Sequence, residues 1–385
     1  MKNSLIFVLS IVAAASGADD WNASMQRINE LHKARQFSEA ASRYKAAIAQ
    51  AEKFGNGDWR YAQALNNYAA HLFDLGSYAE SETYYRRAIE QFGKAGQQTN
   101  RAVATCNLAV LHRTLGRYPA AAEAAAEGIR TLDKMDPAGT LHTSSCLVNL
   151  AEAYRSLGDL NRAEMTARRA LSVAERWGGP AHLNVGHALH ILANTLQTAG
   201  MADEARPLYE RALSIRKVAM GPEHPSTAAT MASLASLLVT IGEPAAAEPL
   251  ALGAVKALES ALGRDHAALI GPVNNLAQVY RRMGETEKAE PLYRRTLGIS
   301  EQRLGVRHPD HARLMANLAG YYVEIGRLRS AEDLYRTAES ILVSTVGETH
   351  AATKNVRGEL MRLYTAAGRH TEAEALRKGI KTFQP

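Results

Sequence analysis

One arrangement of apolar and polar positions returns along almost the whole chain. Leu276, Ala277 and Tyr280 stand at i, i+1 and i+4, and Gly284 follows; Leu150, Ala151 and Tyr154 stand the same way before Gly158. That spacing lines one face of an α-helix. Past the glycine a second helical face begins: Ala205, Leu208, Tyr209, Ala212 and Leu213 stand at i, i+3, i+4, i+7 and i+8, again a single stripe. The glycine ends the first helix and permits the left-handed backbone that a tight turn needs. No segment alternates with period two, so no strand is expected.

The turn glycines give the period. Gly76 and Gly116 are 40 residues apart, and Gly158, Gly200, Gly242, Gly284, Gly326 and Gly368 follow at steps of 42. A leading unit has Arg35 in the glycine's place, yet its EAASRYKAAI aligns with the ESETYYRRAI of the next. The pattern predicts about nine helix-turn-helix units, or about eighteen helices. Two columns stay small: Ala69, Ala109, Ala151, Ala193, Ala235, Ala277 and Ala319 in the first helices, and Ala40, Ser81, Ala121, Ala163, Ala205, Ala247, Ala289, Ala331 and Ala373 in the second. Small residues at matching places let two helices cross closely while Leu and Tyr fill the space beside them. Met361 interrupts the first column in the last unit. Between units a loop repeats as GPAH, GPEHP, GRDHA, GVRHP and GETHA, with Pro225 and Pro309 where the next helix should start. Pro207, Pro249 and Pro291 fall near the start of second helices, where a missing N–H is expected to cost least.

The run Leu-Ala-x-x-Tyr, then glycine, then Ala-x-x-x-Tyr-x-x-Ala-Leu resembles the tetratricopeptide repeat. The 42-residue unit with its NNLA and GxxHP segments is similar to the longer kinesin light chain type. The resemblance covers about Trp21 to Phe383. Departures lie at the ends: Arg35 for glycine, and Gly358-Glu359 where two asparagines would stand. It implies an all-α, right-handed solenoid over residues 19–385, built by stacking units that cannot bury their apolar faces alone. It also implies first helices lining a concave groove, with ligand-facing positions on them.

Residues 1–18 read as a secretory signal. Lys2 is followed by an apolar stretch of 11 residues from Leu5 to Ala15, and then by Ser16-Gly17-Ala18. Such a stretch is too short to span a bilayer, which needs about 20 residues, so an exported chain, periplasmic or extracellular, is expected. Removing it takes away Lys2 alone and leaves +5 of the formal +6. That charge is spread without a basic run, so nucleic acid is not an expected partner.

Catalytic signatures are missing: no His-Glu-x-x-His, Gly-x-Ser-x-Gly, phosphate loop or Cys-x-x-Cys occurs. His182, His224, His266, His308 and His350 recur every 42 residues. Equivalent positions on neighbouring helices lie roughly 10 Å apart, too far to share a zinc whose ligands sit at about 2 Å, so they read as loop histidines ahead of the next helix. Cys106 and Cys146 sit on adjacent first helices, two positions out of register. Two residues turn a helix by about 200°, and the expectation is that the thiols face apart and stay unbridged.

The groove positions implied by the resemblance are more informative. One column carries Asn67, Asn107, Asn149, Asn275 and Asn317, with Ile191 and Ser233 in the two intervening units. An amide offers two donors and an acceptor and can pair with both groups of a peptide backbone; the same amides can instead bond a neighbouring helix. Arg113, Arg155, Arg281, Arg282 and Arg313 join them, and with Asn274 and Gln278 they make units seven and eight a basic, amide-rich patch suited to an acidic segment or a free C-terminus. Asp74, Glu152, Glu324 and Glu359 share that face. The reading is a non-enzymatic scaffold, without cofactor or metal, that holds a protein or peptide segment in the groove. Two alternatives stand beside it. One is a self-assembling solenoid, since no separate polar cap follows the last helix, Thr371 to Thr382. The other is an enzyme or metal site around His187, His190 and Asn194.

Overall fold

The computed structural model describes residues 18–33, 36–55 and 57–381. The apolar leader, Arg35 and the last four residues lie outside them. The described residues form eighteen α-helices, one 3₁₀ turn and no strand. The helices run in pairs: α1 (Ala18–Lys33) with α2 (Phe37–Glu52), α3 (Trp59–Asp74) with α4 (Tyr78–Lys94), and α5 (Gln98–Thr114) with α6 (Tyr118–Met135). Next come α7 (Leu141–Ser156) with α8 (Leu160–Gly178), α9 (Leu183–Thr198) with α10 (Ala202–Met220), and α11 (Pro225–Thr240) with α12 (Pro244–Leu262). After a 3₁₀ turn at Ala267–Leu269 follow α13 (Ile270–Met283) with α14 (Thr286–Leu304), α15 (Pro309–Glu324) with α16 (Leu328–Val346), and α17 (Ala351–Ala366) with α18 (His370–Lys381).

The turn glycines do what their spacing requires. At Gly284 φ is +77°, a value costly for any residue with a Cβ. Gly284 N–H donates to the Arg281 carbonyl (3.1 Å) and Glu285 N–H to the Tyr280 carbonyl (2.9 Å), which is a Schellman ending. It satisfies carbonyls that a bare helix end would leave open.

The two small columns are buried throughout. They touch where α3 crosses α4: Ser81 Oγ donates to the Ala69 carbonyl at 2.7 Å. The serine is tolerated among alanines because its hydroxyl finds that carbonyl. Pro207, Pro249 and Pro291 depart from expectation. Each is the sixth residue of its helix, not part of the first turn, so each removes one interior N–H. The helices continue past them, held by buried neighbours on either side such as Ala205 and Tyr209 around Pro207.

The chain packs as two compact units, one up to Ile215 and one from Arg216; the division falls inside α10. In the first unit the core groups Trp21, Tyr44, Leu65 and Phe92, then Phe73, Tyr85 and Leu111, then Ile129, Leu132, Leu147 and Val173. In the second unit Tyr293, Ile299, Tyr321 and Leu342 are buried among the alanine columns.

The expectation for the cysteines is overturned. Cys106 on α5 and Cys146 on α7 form a buried disulfide, with Cα atoms 5.5 Å apart. The 200° offset has the opposite consequence. In a stack, equivalent residues of two neighbouring helices point the same way, so a residue that looks forward to its neighbour is met by one that looks back. An offset near half a turn brings the two sulfurs together. Gly128 on α6 leaves the room, since a Cβ there would lie 2.5 Å from Cys106 Sγ.

Candidate functional site

The polar positions of the first helices fall into two sets, one in each compact unit. In the first unit Asn107 Nδ2 donates to Asn66 Oδ1 (3.4 Å), and Asn66 Nδ2 donates to Asn67 Oδ1 (3.1 Å). In the second, Asn317 Nδ2 donates to Asn274 Oδ1 (3.0 Å) and Asn275 Nδ2 to the Ala232 carbonyl (3.1 Å). The asparagine column therefore reaches back to the preceding first helix in three repeats and ties neighbours together. Asn67, Asn107 and Asn274 are 3%, 1% and 3% exposed. Asn107, Asn275 and Asn317 make the helix-to-helix bond that was one of the two roles open to these amides. Asn149 and Gln278 differ: both are half-buried and make no side-chain hydrogen bond among the described residues.

The arginines divide in the same manner. Arg281 is bidentate on Glu324, with Nε to Oε2 at 2.6 Å and Nη2 to Oε1 at 2.5 Å. That hydrogen bond holds the Glu324 carboxyl below the usual carboxylate range against the opposing effect of burial. Tyr293 and Tyr335 complete this cluster. Burial pushes the Tyr335 hydroxyl up to about 12, so it stays a neutral donor. Gly320 keeps the place open, since a Cβ there would lie 3.3 Å from the Tyr335 hydroxyl and 3.4 Å from Arg281 Nη1. Arg113 pairs with Glu152 at 3.0 Å, both side chains largely buried. Arg313 meets Asp310 at 3.4 Å on the exposed surface, a pair of small energetic weight. Arg282 is exposed beside Glu324. Arg155 is half-buried, and its Nε is buried with no acceptor.

Two features escaped the sequence reading. The first is what the second-helix tyrosine nine residues after the turn glycine (Tyr85, Tyr209, Tyr293 and Tyr335) does beyond filling space. Tyr209 lies with its hydroxyl 2.6 Å from Asn194 Oδ1 and 2.7 Å from Gln197 Oε1, and packs edge-on to His190. Two residues of the metal alternative, His190 and Asn194, are thus built into a hairpin's packing, and among the described residues no group of three or more His, Cys, Asp or Glu is placed to hold a metal. The second is the role of the loop histidines. His182, His224, His266, His308 and His350 are helix N-caps: each Nδ1 accepts from the backbone N–H two residues on, at 3.1 to 3.2 Å. The proline after His224 and His308 was the signal, because it marks the first helical position.

No helix is long and apolar enough to cross a membrane among the described residues. A tetratricopeptide repeat family model matches residues 60–134, 142–217, 188–260 and 265–342. No curated protein matches the chain. Among solved structures, the apo quorum sensor NprR of B. thuringiensis is 14% identical, covering 94% of this chain and 98% of its own at a TM-score of 0.64. The Rap conjugation gene regulator of plasmid pLS20, solved with the Phr* peptide, is 15% identical over 76% of this chain and 77% of its own, at 0.57. BtubC (BKLC) of P. vanneervenii is 25% identical over 60% of this chain and 92% of its own, at 0.48.

Proposed function

Because the chain belongs to the tetratricopeptide repeat family, we propose that it is a non-enzymatic interaction scaffold that holds an extended peptide or protein segment along its first helices. The observation that carries this is the continuity of polar side chains from one first helix to the next: Asn107 to Asn66, Arg113 to Glu152, Asn317 to Asn274 and Arg281 to Glu324. A surface whose polar groups are fixed by their neighbours presents amides and charges at little further ordering cost. The half-buried amides of Asn149 and Gln278 keep their capacity for a ligand's backbone. The pLS20 Rap regulator was solved with a peptide on a fold of this kind, which supports a peptide as the class of partner and leaves the ligand unnamed. The segment we propose is acidic or ends in a free carboxylate, since guanidinium groups line the same face.

We further propose that the chain is exported. The apolar leader motivates this, and the Cys106–Cys146 bridge supports it, because disulfides persist in oxidising compartments. Sequencing the N-terminus of the chain recovered from its own cells tests it, with Asp19 expected as the first residue; an intact Met1 would end the idea.

The groove reading is tested with a library of random 12-residue peptides displayed on phage. Enriched peptides should bind the full chain and lose binding when Asn149 or Gln278 is replaced by tryptophan, which would block one compact unit or the other. Met165, exposed on a second helix, supplies the control Met165→Trp. Peptides indifferent to both blocks, or no enrichment at all, would overturn the reading.

A further inference from the structure

Three first helices carry an arginine three residues before the turn glycine: Arg113, Arg155 and Arg281. Two receive an acid from the following repeat. Glu152, six residues before its glycine, meets Arg113; Glu324, two residues before its glycine, meets Arg281. The repeat after Arg155 offers Asn194 and Thr198 at those two places. Asn194 Oδ1 is engaged by the Tyr209 hydroxyl, and Thr198 Oγ1 donates to the Asn194 carbonyl. Arg281 also lies against the tyrosine of its own hairpin, Tyr293. In the hairpin of Arg155 that position is Ala167, and in the hairpin of Arg113 it is Ala125. Arg155 thus lacks the carboxylate that serves its counterpart and has alanine where Tyr293 stands, and its Nε is buried with no acceptor. A half-buried guanidinium that has given up part of its hydration and gained no partner is held at a cost. A carboxylate supplied from outside relieves that cost.

We propose that Arg155 is the carboxylate-receiving subsite of the groove, its acid removed from the repeat so that a ligand's acid takes the place. This rests on the peptide-groove reading and places the charge recognition in the first compact unit, away from Arg281, whose fork is closed by Glu324. The buried disulfide joins α5 to α7, the helices that carry Arg113 and Arg155, so the guanidinium stands on a cross-linked pair of helices. A bidentate guanidinium–carboxylate pair fixes the ligand's register as well as its charge.

Peptides enriched from the 12-residue library on the full chain are remade with each carboxylate in turn converted to its amide. One conversion should weaken binding to the wild type by about tenfold or more, as a lost charge-assisted hydrogen bond does. The same conversion should change nothing on Arg155→Gln. It should also change nothing on Thr198→Glu, which places at an exposed position the acid that Glu324 is for Arg281 and so closes Arg155 from within. The second variant covers the case in which Arg155→Gln fails to fold. On Arg281→Gln the preference should persist. Peptides that bind with no carboxylate preference, or a preference that survives both Arg155→Gln and Thr198→Glu, would overturn the subsite and leave the groove reading standing. A library that yields no binding peptide would overturn both.

Discussion

At the scale of single residues, the disulfide and Gly128 form one device. The bridge closes a loop of 40 residues. On the chain-entropy account, a loop of that length is worth about 4 kcal/mol. Replacing Cys106 and Cys146 by alanine should therefore loosen one place in particular: amide exchange in α5, α6 and α7 should accelerate while α15 and α16 stay as they were. Uniform exchange across all five helices would mean the bridge holds nothing locally. Gly128→Ala should act on the same site, because its Cβ meets Cys106 Sγ at 2.5 Å and the Ala102 carbonyl at 2.9 Å, and the carbonyl belongs to the backbone. A cost of about 1–3 kcal/mol is expected, as for other overpacked cores, read from the same exchange experiment. Ala277→Leu in the second unit should cost a similar amount for the same reason, since Ala277 is buried in the column that sets the helix crossing.

At the scale of the helix, ends decide. The five imidazole caps answer the open N–H groups of α9, α11, the 3₁₀ turn before α13, α15 and α17. His308→Ala should cost about 1 kcal/mol and fray the first turn of α15, whereas His308→Asn, which supplies another short acceptor, should keep most of it. Equal protection of that turn in wild type and His308→Ala would show that Pro309 alone sets the start. This is also where the sequence was most and least legible. The period, the turn glycines and the alanine columns read directly, because each is a local requirement repeated at a fixed interval. The role of the histidines did not, because a nitrogen acting as a cap looks in sequence like any loop residue. The groove was legible as positions and illegible as partnerships. That Arg281 would be closed and Arg155 left open depends on which side chain the next repeat brings across, and a column-by-column reading does not ask that. The cysteines are illegible for the same reason: their contact lies between two repeats, and the frame of a single repeat does not contain it.

At the scale of the whole molecule, acid should act in two stages. His112 and His311 are buried and His142 is half-buried, and burial holds all three imidazoles below their ordinary value of 6.5. The unfolded chain binds protons at these sites before the folded chain does, so stability is complete above about pH 6.5 and declines as pH falls below it. His112 and His142 sit in the first compact unit and His311 in the second, so both units should feel this stage. The carboxylates respond later and with the same sign. Hydrogen bonds from Arg60 to Asp58 and from Arg281 to Glu324 depress both acids. Their stabilisation is present above the unfolded carboxylate range and is lost as pH falls through the lower folded values. Urea titrations followed by circular dichroism from pH 8 to pH 3 should show a plateau, a shallow decline from about 6.5, and a steeper one below about 4.5. Replacing His112, His142 and His311 by glutamine, a neutral side chain of similar reach, should erase the shallow stage and leave the steep one. A decline that begins only below pH 5 in the wild type would mean that water reaches the imidazoles in the folded chain.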